Sequence, residues 1–154
     1  FIALFFMLFH SLTDIESGYI YDPWALAMTA VSMLARLSGG FSALIDGAMG
    51  AALGFLFIYA IVLLSRGGMG MGDAMMMLGV GALLGWKLTI LSLYLGFMSS
   101  GAIVIPLLAA KKLSRKDAVA LGPYLAAGCI LAIFTGRFIF EYLGFSLGWP
   151  WSNI

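Results

Sequence analysis

Two aspartates carry the side chains in this sequence best suited to hydrolytic chemistry. Asp73 ends a glycine-rich turn over 66–73, and Asp14 closes the first apolar run of the chain. A carboxylate at the mouth of a membrane segment is costly to place, so each is a candidate functional residue. Two carboxylates held close together share one proton, because both cannot ionise at once. The ionised member would take a proton from water while the protonated member hydrogen-bonds a scissile carbonyl, with no metal or cofactor required.

The glycines beside Asp73 have a mechanical role in this hypothesis. Gly70 and Gly72 lack a Cβ, so they permit φ > 0 and let an extended substrate backbone approach closely. A helix N-terminus at this point favours the ionised form of the carboxylate. A second interpretation stays open, since aspartate is also a good helix N-cap. On the first interpretation, Gly70 and Gly72 are predicted to bind substrate.

The polar stretch over 13–23 supplies two further acids. Glu16 is either a solvated loop charge or a contact to substrate. Asp22 precedes Pro23 and is typical of a turn or cap residue. It is also the substitute for Asp14 as the second carboxylate. Both acids join the predicted substrate-binding set.

Several other chemistries lack their motifs. The single histidine, His10, excludes an HExxH zinc pair, and no GxSxG nucleophile motif occurs. The glycines near residue 70 form neither GxGxxG nor a Walker A loop, so no nucleotide site is predicted. Cys129 is the only cysteine and lies in an apolar run, as expected of an inert buried thiol. We expect no metal, no cofactor and no nucleic acid.

The composition predicts an integral membrane protein. Hydrophobic residues make up 63% of the 154 residues, charged residues make up 10%, and the mean hydropathy is +1.08. Soluble domains carry about 45–50% apolar and about 25% charged residues. We expect one transmembrane domain over 1–154 with the lipid bilayer as a partner. The half-length apolar run at Phe1 predicts an incomplete N-terminus.

Six apolar runs predict an all-α, polytopic transmembrane bundle of about six helices. An open sheet cannot satisfy its edges in lipid, so helices are the remaining choice. Glycines four residues apart, Gly50 with Gly54 and Gly81 with Gly85, predict close helix packing. The predicted runs are 1–12, 24–37, 41–65, 73–86, 88–110 and 118–143, with Lys87 separating the fourth from the fifth.

The basic residues predict the orientation. If the helices alternate in direction, the loops at 13–23, 66–73 and 111–117 share one face. Five of the eight lysines and arginines lie on that face, which the positive-inside rule makes cytoplasmic. Asp14 and Asp73 are then both at the cytoplasmic boundary. The five residues are Arg66, Lys111, Lys112, Arg115 and Lys116.

Three motifs give the sequence a family resemblance. Gly70-Met71-Gly72-Asp73 is a G-x-G-D motif, and Asp14 to Asp22 resembles a D-x7-D stretch. Gly122-Pro123-Tyr124-Leu125 resembles a G-P-[FY]-L element at the start of a last helix. In this order the motifs resemble those of the type IV prepilin peptidases, which are GxGD intramembrane aspartyl peptidases. Met75 and Tyr21 stand where that family often has lysine and proline.

The resemblance implies an aspartyl endopeptidase of the inner membrane. Such an enzyme cleaves the leader peptide of type IV prepilins or pseudopilins at the cytoplasmic face, and its catalytic pair corresponds to Asp14 and Asp73. Bifunctional members carry a cysteine-rich segment that is not found in these residues. N-methyltransferase activity is therefore expected only if an upstream part supplies that segment.

Other functions stay open at this point. A small transporter or ion-conducting protein would use membrane carboxylates, but it predicts acids deep within the helices rather than at one boundary. Tyr21-Asp22 also resembles the YD motif of presenilin-like GxGD proteases. A structural assembly subunit is the third class, and it leaves the glycine turn unexplained.

Overall fold

The computed structural model describes residues 22–65, 70–109 and 121–148. These residues form five helices and no strand, which confirms the all-α prediction. The helices number five rather than the predicted six, since the first predicted run, 1–12, lies outside the described residues. The helices are α1 (Asp22–Leu37), α2 (Gly40–Leu64), α3 (Met71–Leu84), α4 (Trp86–Ala109) and α5 (Gly122–Tyr142).

Three of the helices are long and apolar enough to cross a membrane. They are α2, the Trp86–Pro106 part of α4, and α5. The helices α1 and α3 are apolar but shorter. The 14 residues of α3 extend about 21 Å, against a hydrocarbon core of about 30 Å. The predicted membrane helix bundle is confirmed, with one short helix, α3, contributing much of its buried core.

The chain breaks between α3 and α4 at Gly85, not at Lys87 as predicted. Gly85 has φ +79°, a left-handed conformation that favours glycine and ends α3. Lys87 instead lies in the first turn of α4. Its ammonium group sits 5.7 Å from the centre of the Trp86 ring and donates a hydrogen bond to the carbonyl of Ser146. A lysine with such contacts need not interrupt the helix.

Glycines let α2 and α3 pack backbone against backbone. A Cβ at Gly81 would lie 2.5 Å from the carbonyl carbon of Gly50, and one at Gly54 would lie 2.7 Å from the carbonyl oxygen of Met77. The contacts run in opposite chain directions, so the two helices are antiparallel. The predicted close packing at the glycine pairs is confirmed.

The helices α4 and α5 form a second antiparallel pair of the same kind. A Cβ at Gly128 would lie 2.5 Å from the carbonyl oxygen of Ser92 and 2.6 Å from the Cα of Gly96. Nearer the other end of the pair, Gly136 packs against the Leu88 side chain. These contacts place the start of α5 beside the second half of α4.

The helices α1 and α3 run parallel. The sulfur of Met28 lies 3.2 Å from the position of a Cβ at Gly79, and further along both helices the Nε of Arg36 donates to the carbonyl of Ala82 at 2.7 Å. The first residues of α1 and α3 therefore lie at the same end of the bundle. That end is the one which positions the candidate site.

Candidate active site

Asp73 lies in the first turn of α3. Gly70 is the N-cap, and the backbone N–H of Asp73 donates to the Gly70 carbonyl at 3.3 Å. Asp73 is only 5% exposed, and the next residue, Ala74, is fully buried. The positive end of the helix dipole favours a negative charge at this position. An acid buried in an apolar bundle is costly, so Asp73 is a candidate functional residue.

Gly70 and Gly72 do not use the positive φ that glycine permits. Gly70 has φ −78° and ψ 146°, which any residue adopts, and Gly72 lies within α3. The chain enters the helix from an extended N-cap, so neither glycine is needed for φ > 0. Among the described residues, a Cβ at Gly70 would nevertheless meet nothing nearer than the Gly72 nitrogen, at 3.9 Å. No described side chain therefore blocks another backbone at Gly70.

The second carboxylate stays a prediction. Asp14 and Glu16 lie outside the described residues. Asp22 is the first residue of α1, and its side chain is likewise outside the described part. The structure does bring the start of α1 to the same end of the bundle as Asp73.

Asp73 lies well below the end of the neighbouring long helix. It is about 18 Å along the helix axis from Gly85, by the rise of an α-helix. Its antiparallel neighbour α2 contacts α3 at Gly54 and Met77, and it continues to Leu64. From these contacts, Asp73 is level with about residue 58 of α2, some 9 Å short of that helix's end. The carboxylate thus lies below the end of α2 rather than level with it.

A separate apolar groove lies between α2 and α4. It encloses about 550 Å³, and Phe57 closes against Phe97 with ring centroids 6.0 Å apart. Asp73 is not among its lining residues. The groove has no acid or base in its walls, so it offers no hydrolytic chemistry. The residues that line it are Leu53, Phe57, Ile90, Leu93, Tyr94, Phe97 and Met98.

Sequence reasoning missed one buried polar cluster. Arg36 pairs with Asp46 at 2.7 Å, and the two side chains are 1% and 22% exposed. The sequence does contain a signal for this pair. An arginine and an aspartate lie in apolar runs on either side of the turn at Ser38 and Gly39. Each charge needs a partner in lipid. In the helices described, no group of three or more His, Cys, Asp or Glu residues could hold a metal ion.

Comparison of the sequence with known protein families identifies the family of this chain. Residues 1–105, more than half of the chain, match the type IV leader peptidase family. The chain belongs to that family. The resemblance inferred from the G-x-G-D, D-x7-D and G-P-[FY]-L motifs is thereby confirmed.

Curated relatives support the same assignment. A prepilin leader peptidase/N-methyltransferase of Burkholderia pseudomallei strain 1026b is 27% identical over 139 residues, which is 87% of this chain and 45% of that protein. Those of Bacillus subtilis strain 168 and Pseudomonas aeruginosa are 28% and 27% identical, over 90% and 88% of this chain and 56% and 49% of each relative. The chain therefore spans about half the length of these relatives. No solved structure matches the chain.

Proposed function

We propose that the chain is a membrane aspartyl endopeptidase that removes the leader peptide of type IV prepilins or pseudopilins. The observation that carries the proposal is the buried Asp73 at the start of α3, in a chain of the leader peptidase family. The basic loops support an inner-membrane orientation with this end facing the cytoplasm. Asp14 is the proposed second carboxylate.

The proposed reaction is a hydrolysis by activated water. One carboxylate accepts a proton from water, and the resulting hydroxide bonds to the carbonyl carbon of the scissile peptide. The protonated carboxyl group donates a hydrogen bond to the carbonyl oxygen as negative charge develops there. The C–N bond then breaks, and the leaving amine takes a proton from the pair. The two carboxyls titrate as one unit, so either can hold the proton in the resting state.

The first turn of α3 suits a substrate that approaches in an extended form. Gly70 and Gly72 have no side chain to block a second backbone beside Asp73. Glu16 and Asp22 are proposed to contact the same substrate, where acids would attract a basic leader. The neighbouring long helix α2 extends past Asp73 and would contact an apolar substrate helix.

Transport through a chain of carboxylates has less support. Among the acids whose side chains are described, Asp46 pairs with Arg36, and Glu141 pairs with Arg137 at 2.9 Å. These two acids are neutralised by arginine, so they are poorly suited to relay protons. Asp73 then lies at one end of the bundle with no described series of acids leading away from it.

Cleavage by aspartate variants tests the proposal. The substrate is a peptide with a basic leader, a glycine and a following apolar helix. Asparagine matches the shape of aspartate but cannot transfer the proton, so Asp73→Asn and Asp14→Asn should each lower the cleavage rate at least about 100-fold. Both variants should reach the membrane in normal amounts. The control is Glu141→Gln, because Glu141 is exposed in its ion pair.

Two results would decide against parts of this proposal. Cleavage by Asp73→Asn at the wild-type rate would rule out the peptidase mechanism. Normal cleavage by Asp14→Asn, together with loss of cleavage in Asp22→Asn, would make Asp22 the second carboxylate.

A further inference from the structure

Arg36 joins three helices at the end of the bundle opposite Asp73. It lies in the last turn of α1 and is 1% exposed. Its Nε donates to the carbonyl of Ala82 at 2.7 Å, and a terminal nitrogen donates to that of Leu83 at 2.9 Å. The other terminal nitrogen donates to the Ala43 carbonyl at 2.8 Å and to the Asp46 carboxylate at 2.7 Å. A single side chain thus connects α1 to the first turns of α2 and the last turn of α3.

The α3 carbonyls bound by Arg36 are ones that the helix itself leaves open. Ala82 and Leu83 are among the last four residues of α3, whose carbonyls have no partner within the helix. A cation at this end also interacts favourably with the helix dipole. Asp46 balances the charge of the guanidinium, which would otherwise be costly to bury. The planar fork of arginine suits such a set of acceptors, and lysine does not.

The surroundings leave this cluster little freedom. A Cβ at Gly85 would lie 2.8 Å from a terminal nitrogen of Arg36, and one at Gly47 would lie 2.8 Å from its Nε. The two glycines therefore make room for the guanidinium. The rest of the contact between α2 and α3 consists largely of glycine and apolar side chains. Apolar contacts are not directional, whereas the four hydrogen bonds of Arg36 fix both distance and angle.

We propose that Arg36, with Asp46, is a positioning residue that fixes the axial register and rotation of α3. Asp73 lies at the other end of the same helix, so the register of α3 sets where its carboxylate lies. One residue of slippage would move Asp73 by about 1.5 Å and turn it by about 100°. A displacement of about 1 Å can lower a catalytic rate about 100-fold. For its effect on catalysis, this inference rests on the proposed function.

A distance measurement tests the register without using activity. Spin labels at Met71→Cys and Ile45→Cys, in a Cys129→Ala background, report the position of the start of α3 relative to α2. Both sites are exposed, at 43% and 46%. The unchanged cluster should give one narrow distance distribution, and Arg36→Met should shift or broaden it. The control is Arg137→Met, which removes an exposed arginine from an ion pair on α5. If Arg36→Met gives a distance distribution with the same mean and the same width as the control, the proposal is overturned.

Two more variants separate positioning from stability. The double variant Arg36→Met/Asp46→Leu leaves no unpaired charge, so it should regain the stability that the single variant loses. Arg36→Lys keeps the charge but cannot reach both α3 carbonyls. In unlabelled protein, both should keep KM near the wild-type value and lower kcat about 10- to 100-fold. Wild-type kcat in the double variant would overturn the proposal.

The same set of experiments distinguishes this inference from the proposed function. If wild-type protein fails to cleave the leader peptide, the proposed function fails. The shifted distance distribution would then still support the role of Arg36 in the register of α3. If wild-type protein cleaves and the distribution does not respond to Arg36→Met, the register inference alone fails.

Discussion

Alanine at Gly81 should destabilise the bundle more than alanine at most other helical glycines. A Cβ there would lie 2.5 Å from the carbonyl carbon of Gly50 and 2.8 Å from the nitrogen of Ala51. These are backbone atoms, so relief requires α2 and α3 to separate by about 1 Å. Overpacking of this kind costs about 1–3 kcal/mol. The better helix propensity of alanine returns about 1 kcal/mol at most, so the net expectation is a loss of up to about 2 kcal/mol.

Two matched variants set the scale for that measurement. Among the described residues, a Cβ at Gly101 would meet only the end of the Ile105 side chain at 3.8 Å, so Gly101→Ala should be neutral or stabilising by up to about 1 kcal/mol. At Gly79 a Cβ would lie 3.2 Å from the sulfur of Met28, whose flexible side chain can move away, and 3.3 Å from the backbone carbonyl oxygen of Ala25, which moves less easily. Gly79→Ala should therefore fall between the other two.

Equilibrium unfolding in mixed micelles measures the three free energies of unfolding side by side. From most to least stable, the expected order is Gly101→Ala, Gly79→Ala and Gly81→Ala. A Gly81→Ala protein as stable as Gly101→Ala would refute the backbone contact between α2 and α3.

Three further predictions follow from local geometry. Gly70→Ala should lower the free energy of unfolding by no more than about 1 kcal/mol, because alanine is a poorer N-cap than glycine but φ is −78° and no described atom blocks a Cβ. Reduced cleavage in that variant, measured as an increase in KM, would then report contact with substrate. Gly85→Ala should lower the free energy of unfolding by at least about 1–2 kcal/mol, because φ is +79°. Wild-type stability in that variant would contradict the positive φ of Gly85 at the end of α3. Replacing Arg137 and Glu141 by alanine should change the free energy of unfolding by less than about 1 kcal/mol, because the ion pair is exposed. A coupling energy above about 1 kcal/mol in a double-mutant cycle would contradict this prediction.

The apolar runs, the glycine spacing and the G-x-G-D motif made much of the fold predictable. The apolar runs gave the positions of the five described helices to within a few residues, because a lipid-facing helix must be apolar along its length. The glycine spacing gave the close packing of α2 and α3, because only small residues allow backbones to approach. The G-x-G-D motif placed Asp73 at a helix start, where the structure has it.

Contacts between distant backbone groups were not predictable in the same way. The partners of Arg36 include the carbonyls of Ala82 and Leu83, and a carbonyl leaves no trace in the sequence. The predicted break between the fourth and fifth apolar runs was at Lys87, whereas the structure has it at Gly85, because a glycine within an apolar run does not by itself predict a helix end. The conformation of Gly70 could not be predicted either, since a glycine permits φ > 0 without requiring it.

The distance between positions 14 and 73 tests the central claim most directly. Asp14→Cys and Asp73→Cys, in the Cys129→Ala background, can be joined by oxidation or by a short bifunctional thiol reagent in native membranes. The account predicts an intramolecular cross-link in high yield. As the matched pair, Asp14→Cys with Ile45→Cys should give none, because Ile45 lies near the start of α2, at the opposite end of the bundle. A cross-link to position 45 but not to position 73 would contradict the proposed carboxylate pair.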